Sequence, residues 1–169
     1  MTLRFFKSTS TLEADYYVGK KDGKFIVQLR VSPTITGSAH KGQPKEGEHI
    51  YDYEKSIKMA FPVIKLPQLA FKLYRLAGGD ELEIKEFTDP TKGGHEGSGK
   101  RVVIKNSQDS KGNDIVSLFI SEGDNKINFS LDLSEAYTLA KWLELTFQLN
   151  YMIEADSKLH PKVVENEKA

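Results

Sequence analysis

The chain has no cysteine. Disulfides, cysteine-based zinc sites and thiol catalysis are thereby excluded, and the composition fits a cytosolic-type protein. No run approaches the ~18 apolar residues that a membrane-spanning helix needs. The opening segment MTLRFFKSTSTLEADYY lacks the continuous apolar stretch of a secretory leader. The expected location is cytoplasmic or nucleoid-associated, a viral protein acting in its host's cytoplasm included, with no membrane partner. The four histidines (His40, His49, His95, His160) are scattered without metal-ligand spacing. The stretch GDNK (123–126) is too short for a calcium loop. Nothing sets a nucleophile beside a base and an orienting group. The expectation is a protein that is not an enzyme and holds neither metal nor cofactor.

Net charge is also lacking, but its absence hides an asymmetry. Residues 1–79 carry +6, residues 80–152 carry −5 and the tail 153–169 carries −1. A basic half beside an acidic half is a recognised hint of polyanion binding. The stretch GGHEGSGKRVVIKN (93–106) invites comparison with a phosphate-binding loop, because Gly94 is followed after four residues by Gly99-Lys100. Such a loop needs a strand before it and a helix after it, so that helix-terminal amides hold the phosphates. Here KRVVIKN is β-branched and reads as a strand. Arg101 stands where magnesium coordination needs a hydroxyl. The stretch therefore reads as a connection between two strands, with Lys100 and Arg101 starting a basic patch that could close over a bound strand.

What the sequence does contain is a repeat. SIKMAFPVIKLPQLAFKLYRL (56–76) and KINFSLDLSEAYTLAKWLELT (126–146) align without a gap at an offset of 70 residues. Ile57 pairs with Ile127, Met59 with Phe129, Phe61 with Leu131, Val63 with Leu133, Leu69 with Leu139, Ala70 with Ala140 and Leu73 with Leu143. The apolar spacing changes from every second residue to every third or fourth, which is a half-buried strand running into an amphipathic helix. Pro67 suits the first turn of one helix and Gly78-Gly79 its end, while Ser134 with Glu135 suits the start of the other, which runs to about residue 151. Further strands are predicted at about 3–7, 15–21, 24–32, 81–87, 100–106 and 114–121. KDGK forms a hairpin turn, DSKGN a second turn and 33–49 a long loop. The fold class is α+β: one domain over 1–152 made of two ββββα repeats (about 3–79 and 80–152), then a charged tail at 153–169.

Strand alternation sets Phe25, Val27, Leu29 and Val31 on one face and Ile26, Gln28 and Arg30 on the other. The polar face of the first sheet thus offers Gln28, Arg30 and Lys58, with Lys20, Lys21 and Lys24 at the hairpin. Tyr16, Tyr17, Tyr51 and Tyr53 lie on or beside these strands. Cations to hold phosphates and rings on which bases stack are what single-stranded nucleic-acid binding requires. Phe119, Ser117, Asn128 and Ser130 occupy the equivalent face of the second sheet, with Lys100, Arg101 and Lys105 nearby. An ordinary solvated sheet with scattered tyrosines fits the same residues.

GKFIVQLR (23–30), followed after a loop by KSIKMAFPVIKLPQLAFKL (55–73), resembles the positive cofactor four type of coactivator. That family has a Gly-Lys-led strand ending in Arg, then a strand that leads into an amphipathic helix. Two ββββα units in one chain resemble the Whirly architecture. The resemblance implies single-stranded DNA binding, or RNA binding in related cases, across sheet faces, and assembly into homo-oligomers. It matches Lys24 and Arg30 to backbone-contacting positions. The longer loop at 33–49, the missing Lys-Gly-Lys-Ala-Ala-Leu motif and the acidic second repeat depart from the pattern. They point to binding concentrated on the first repeat. The expected function is largely sequence-independent single-stranded DNA binding in replication, recombination or repair. The alternatives are RNA binding or transcriptional regulation through the same face, and a protein-assembly module that has lost its ligand.

Overall fold

The computed structural model describes residues 2–18, 25–35, 50–88 and 99–159, with side chains described as far as Asp156. Lys20, Lys21, Lys24, the KDGK turn, residues 36–49, most of the glycine-rich stretch and the charged tail lie outside the described residues. The strands are β1 (Leu3–Phe6), β2 (Ser10–Val18), β3 (Phe25–Pro33), β4 (Ile57–Pro62), β5 (Glu83–Thr88), β6 (Lys100–Gln108), β7 (Asp114–Glu122) and β8 (Asn125–Asp132). The helices are α1 (Leu66–Ala77), entered through a 3-10 turn at Val63–Lys65, and α2 (Leu133–Leu159). Each group of four strands forms an antiparallel sheet in chain order, and each last strand feeds its helix. The plan is ββββα twice.

One face of every strand is spent on a common core. Leu12, Val27, Leu29, Ile57, Met59 and Phe61 from the first sheet join Ile84, Val102, Ile104, Leu118, Phe129 and Leu131 from the second in one cluster. Leu69, Ala70 and Leu73 of α1 and their repeat-mates Leu139, Ala140 and Leu143 of α2 complete it. Two hydrogen bonds link positions 70 residues apart, the offset of the repeat. Tyr74 donates to Glu144 at 2.7 Å, and the Asn125 amide donates to the Lys55 carbonyl at 3.3 Å. A residue that touches its own repeat-mate lies on the pseudo-twofold axis relating the repeats. At that axis burial, and then the hydrogen bond to Glu144, push the Tyr74 hydroxyl up to about 12. At neutral pH it is therefore a neutral donor to an ionised carboxylate.

The termini of the elements differ from the expected ones for local reasons. β2 begins at Ser10 rather than near 15, although Ser10, Thr11 and Glu13 are polar and buried. Each has a partner: the Ser10 hydroxyl donates to the Asn128 carbonyl at 3.1 Å and the Thr11 hydroxyl to the Phe5 carbonyl at 2.8 Å. Satisfied in this way, polar groups are tolerated in a buried strand. The start of α2 is capped by Asp132, not Ser134. Asp132 Oδ1 accepts from the Glu135 amide at 2.8 Å and from the Ser134 hydroxyl at 2.6 Å. Glu135 returns the contact by accepting from the Asp132 amide at 2.9 Å. This is a reciprocal capping box shifted back by two residues. α2 also runs to Leu159 instead of about 151, so its 27 residues span about 40 Å. α1 ends as expected, with Gly79 at φ 90°, a left-handed conformation that favours glycine. Among the described residues no helix is long and apolar enough to cross a membrane.

Burial works against ionisation of Asp132, but its bonds from Ser134 and the Glu135 amide and the nearby charge of Lys7 hold it below the usual carboxylate range. A depressed folded value gives stability that is present above the unfolded-state value and is lost as pH falls through the folded one. Asp132→Ala is expected to cost about 1 kcal/mol at neutral pH, a melting-point loss of roughly 2–4 °C. Thermal unfolding of both proteins at neutral pH and at about pH 3 checks this. The difference between them should shrink in acid, and an unchanged difference would remove Asp132 as the titrating cap.

Candidate nucleic-acid interface

With the apolar strand faces turned inward, only the outer faces of the two sheets are left for ligands. The strand register identifies what each offers. In the first sheet, one row crosses all four strands as Arg4, Glu13, Arg30 and Lys58. Glu13 is only 3% exposed and receives both arginines. Arg4 Nε lies 2.8 Å from its Oε1, and Arg30 Nε donates to its Oε2 at 2.6 Å, with Arg30 Nη2 on the same oxygen. The Arg30 guanidinium also sits 5.0 Å from the centre of the Tyr53 ring. Two cations and one buried carboxylate thus form a closed group, covered on one side by an aromatic ring.

The neighbouring chain tightens this closure. Residues 50–52 run beside the end of β3: the Ile35 amide donates to the Ile50 carbonyl, and the Asp52 amide to the Pro33 carbonyl, both at 2.8 Å. Tyr51 is buried, its ring 5.9 Å from Phe6 and its hydroxyl donating to the Lys7 carbonyl at 2.9 Å. Tyr51 therefore fastens a segment and is no open stacking platform. Tyr16 alternates onto the core-facing side with Leu12 and Ala14 and packs near Phe25. Of the residues expected on this sheet, Tyr17, Gln28 and Lys58 do occupy the outer face. Tyr17 and Lys58 are exposed, and Lys58 has no carboxylate partner among the described residues.

The outer face of the second sheet has a different composition. Its rows read Phe87–Arg101–Ser121–Lys126, then Lys85–Val103–Phe119–Asn128, then Glu83–Lys105–Ser117–Ser130. Arg101 and Lys126 are exposed and have no carboxylate partner among the described residues. Lys105 Nζ sits 5.7 Å from the centre of the Phe119 ring, a cation over an aromatic face. Lys85 pairs with Glu83 at 2.8 Å, the one carboxylate in these rows. Phe119 is 36% exposed and Phe87 59% exposed. Lys100 alternates to the core-facing side and pairs with Glu122 at 3.5 Å, so Arg101 alone of that dipeptide faces outward. Gly99 has a role other than phosphate binding: a Cβ there would lie 2.7 Å from Phe87 Cζ, so its bare backbone gives the ring its seat.

Lys85, Phe87 and Lys126 were missed by sequence reasoning. The signal was available, since each flanks an inward-facing isoleucine, Ile84 or Ile127, in an alternating strand. The acidic total of the second repeat concealed it, because most of those carboxylates lie off this face, in turns, at helix starts and on α2.

Exchanging Glu13 for Gln leaves two guanidinium groups facing each other without their counter-charge. Breaking a buried ion pair costs ~3–5 kcal/mol, and partial solvation of both arginines lowers this to roughly 2–3 kcal/mol. Chemical denaturation of Glu13→Gln measures it. A variant as stable as the parent would show that the group is not structural.

Comparisons with known proteins agree with this architecture. No family sequence profile matches the chain, and no curated protein matches it in sequence. Solved structures do match in fold. WHY1 from Arabidopsis thaliana superposes with a TM-score of 0.61 at 14% identity over 93% of this chain and 89% of its own. The plant transcriptional regulator PBF-2 gives 0.58 at 14% identity over 94% of both chains. Trypanosomal MRP1/MRP2 gives 0.53 at 11% identity over 92% and 97%. The fold is Whirly-like, as the paired ββββα units imply.

Proposed function

We propose that this chain binds single strands of nucleic acid, DNA foremost, on the outer face of its second sheet, and serves replication, recombination or repair. The observation that supports this most is the set of unpaired cations around exposed rings: Arg101, Lys105 and Lys126 beside Phe119 and Phe87. The row Phe87–Arg101–Ser121–Lys126 crosses three inter-strand steps of about 4.8 Å, roughly 14 Å in all. Phosphates released from their counterions supply affinity, and rings accept any base, so binding is salt-sensitive and largely tolerant of sequence. Binding rather than catalysis is the reading that suits an open sheet face.

Transcriptional regulation is the second reading, favoured by the fold shared with a plant transcriptional regulator. RNA as ligand is separated from DNA by competition between oligomers of matched sequence. Homo-oligomer formation belongs to the same proposal. Trp142 is buried within the chain, whereas Leu145, Leu149, Met152 and Ile153 stay exposed along α2, and a second copy would cover them. Native mass measurement with and without a thymidine oligomer tests assembly and binding together. A monomer in both conditions removes the oligomer.

Fluorescence polarisation with labelled single strands tests the interface. Each of Arg101→Ala, Lys105→Ala and Lys126→Ala should weaken binding and reduce the log–log salt slope by about 0.7. Phe119→Ala should weaken binding by about 1–3 kcal/mol. Lys58→Ala, on the first sheet, should change affinity by less than roughly twofold. Absence of binding to any single strand at low salt would sink the proposal. Sensitivity at Lys58 with none at Arg101 or Lys126 would move the interface to the first sheet.

A further inference from the structure

Beyond Phe119, toward the turn between β6 and β7, the outer face of the second sheet changes character. A groove of about 570 Å³ opens there, lined by Gln108, Asp109, Ser117, Phe119, Asn128 and Ser130, with Lys7 and Asp132 at its border. Its volume lies in the ~300–1,000 Å³ range of small-ligand sites. Its electrostatics differ from the basic rows beside it. Its only cation, Lys7, is held by Glu135 with Nζ 2.5 Å from Oε2. Two carboxylates, Asp109 and Asp132, face no free positive charge in the groove. A phosphate is disfavoured at such a place, whereas a neutral base is not.

The hydrogen-bonding inventory narrows the occupant further. Gln108 donates its amide nitrogen to Asp114 at 3.2 Å, which leaves its carbonyl oxygen as an acceptor. Asp132 uses Oδ1 for the cap of α2 and keeps Oδ2 as an acceptor. Hydrogen bonds from Asn113 hold Asp109 below the usual carboxylate range, so at neutral pH it too only accepts. The Ser117 and Ser130 hydroxyls and the Asn128 side-chain amide make no hydrogen bond among the described residues. Asn128 stands directly opposite Phe119, and Ser130 opposite Ser117, each about 4.5–5.5 Å away across the strand pair. Acceptors outnumber committed donors, and they lie beside a ring on which a base can stack.

We propose that this groove is a base-selecting subsite that favours a base bearing an exocyclic amine, cytosine over thymine, stacked on Phe119. The inference rests on the preceding reading that a single strand lies on this face. Cytosine and thymine share a ring size and differ at the 4-position, where cytosine presents an amino donor and thymine a carbonyl acceptor. An acceptor-rich wall satisfies the first and leaves the second unpaired. The Asn128 amide and the two hydroxyls, which both donate and accept, meet the remaining acceptors of cytosine. Phosphates on either side of this base then fall toward Lys105 and Arg101 on the adjoining rows. Binding is sequence-tolerant along the basic rows and selective at one position.

The test compares oligodeoxycytidine and oligothymidine of equal length, at a pH above neutrality where cytosine is uncharged. The full chain should bind the cytidine oligomer about tenfold more tightly. Asn128→Ala combined with Ser130→Ala should bring the two affinities to within roughly twofold, leaving the thymidine affinity and its salt dependence unchanged. Both side chains are exposed, and Ser10 contacts only the backbone carbonyl of Asn128, so the fold should survive; the melting temperature verifies this. Equal or tighter binding of thymidine by the parent overturns the inference and leaves nucleic-acid binding intact. So does an undiminished preference in a double variant that melts like the parent. Failure to bind either oligomer overturns both.

Discussion

A single shared core constrains everything else in this molecule. Each ββββα unit has one apolar sheet face and an apolar helix stripe, and the two units bury these surfaces in one cluster. Once the odd positions of β3 and β8 (Val27, Leu29, Val31; Ile127, Phe129, Leu131) are committed inward, the even positions face outward by geometry. Chemistry can only reside on those positions, and on the parts of the helices that the other unit does not cover. The register of each sheet then decides which charges meet.

The two sheets share a topology and treat their charges in opposite ways. In the first, a carboxylate at the centre of the outer face draws two arginines into a closed group, roofed by Tyr53. Such cations are held in place and compensated, and an incoming phosphate would have to compete with Glu13. In the second, the corresponding row holds Arg101 and Lys126 without a carboxylate between them. Ser121 fills the gap and the rings stand free at the edge. Fixed counter-charge makes a stable face, and unpaired cations make a receptive one.

The sequence showed the parts of this that depend on local pattern. The change of period at 57–73 and 127–143 announced both strand–helix units, because burial imposes that spacing directly on the chain. Gly79 and Pro67 behaved as the local rules for helix ends require. The α2 cap was misplaced by two residues because Asp132 and Ser134 are both good capping residues. Only the reciprocal bond from Glu135 distinguishes them. The Glu13–Arg30 contact was not legible, since it follows from the register between strands joined through a hairpin and not from any neighbour in sequence. The burial of Tyr51 was hidden for the same reason. The placement of Lys85 and Lys126 was legible in principle. It was outweighed by a net charge that sums over surfaces facing different ways, and a sum of that kind says nothing about any one face.

The contact between Tyr74 and Glu144 has a consequence of its own. In a symmetric dimer of a single ββββα unit, the residue on the axis would meet an identical copy of itself. Two glutamates would repel there, and two tyrosines would have no acceptor of matching strength. Joining the units in one polypeptide frees the two positions to differ, so one becomes the donor and the other the acceptor. The same freedom extends outward from the axis. A covalently paired protein can let one half specialise in holding itself together while the other remains exposed to what it meets, a division that an assembly of identical subunits cannot make.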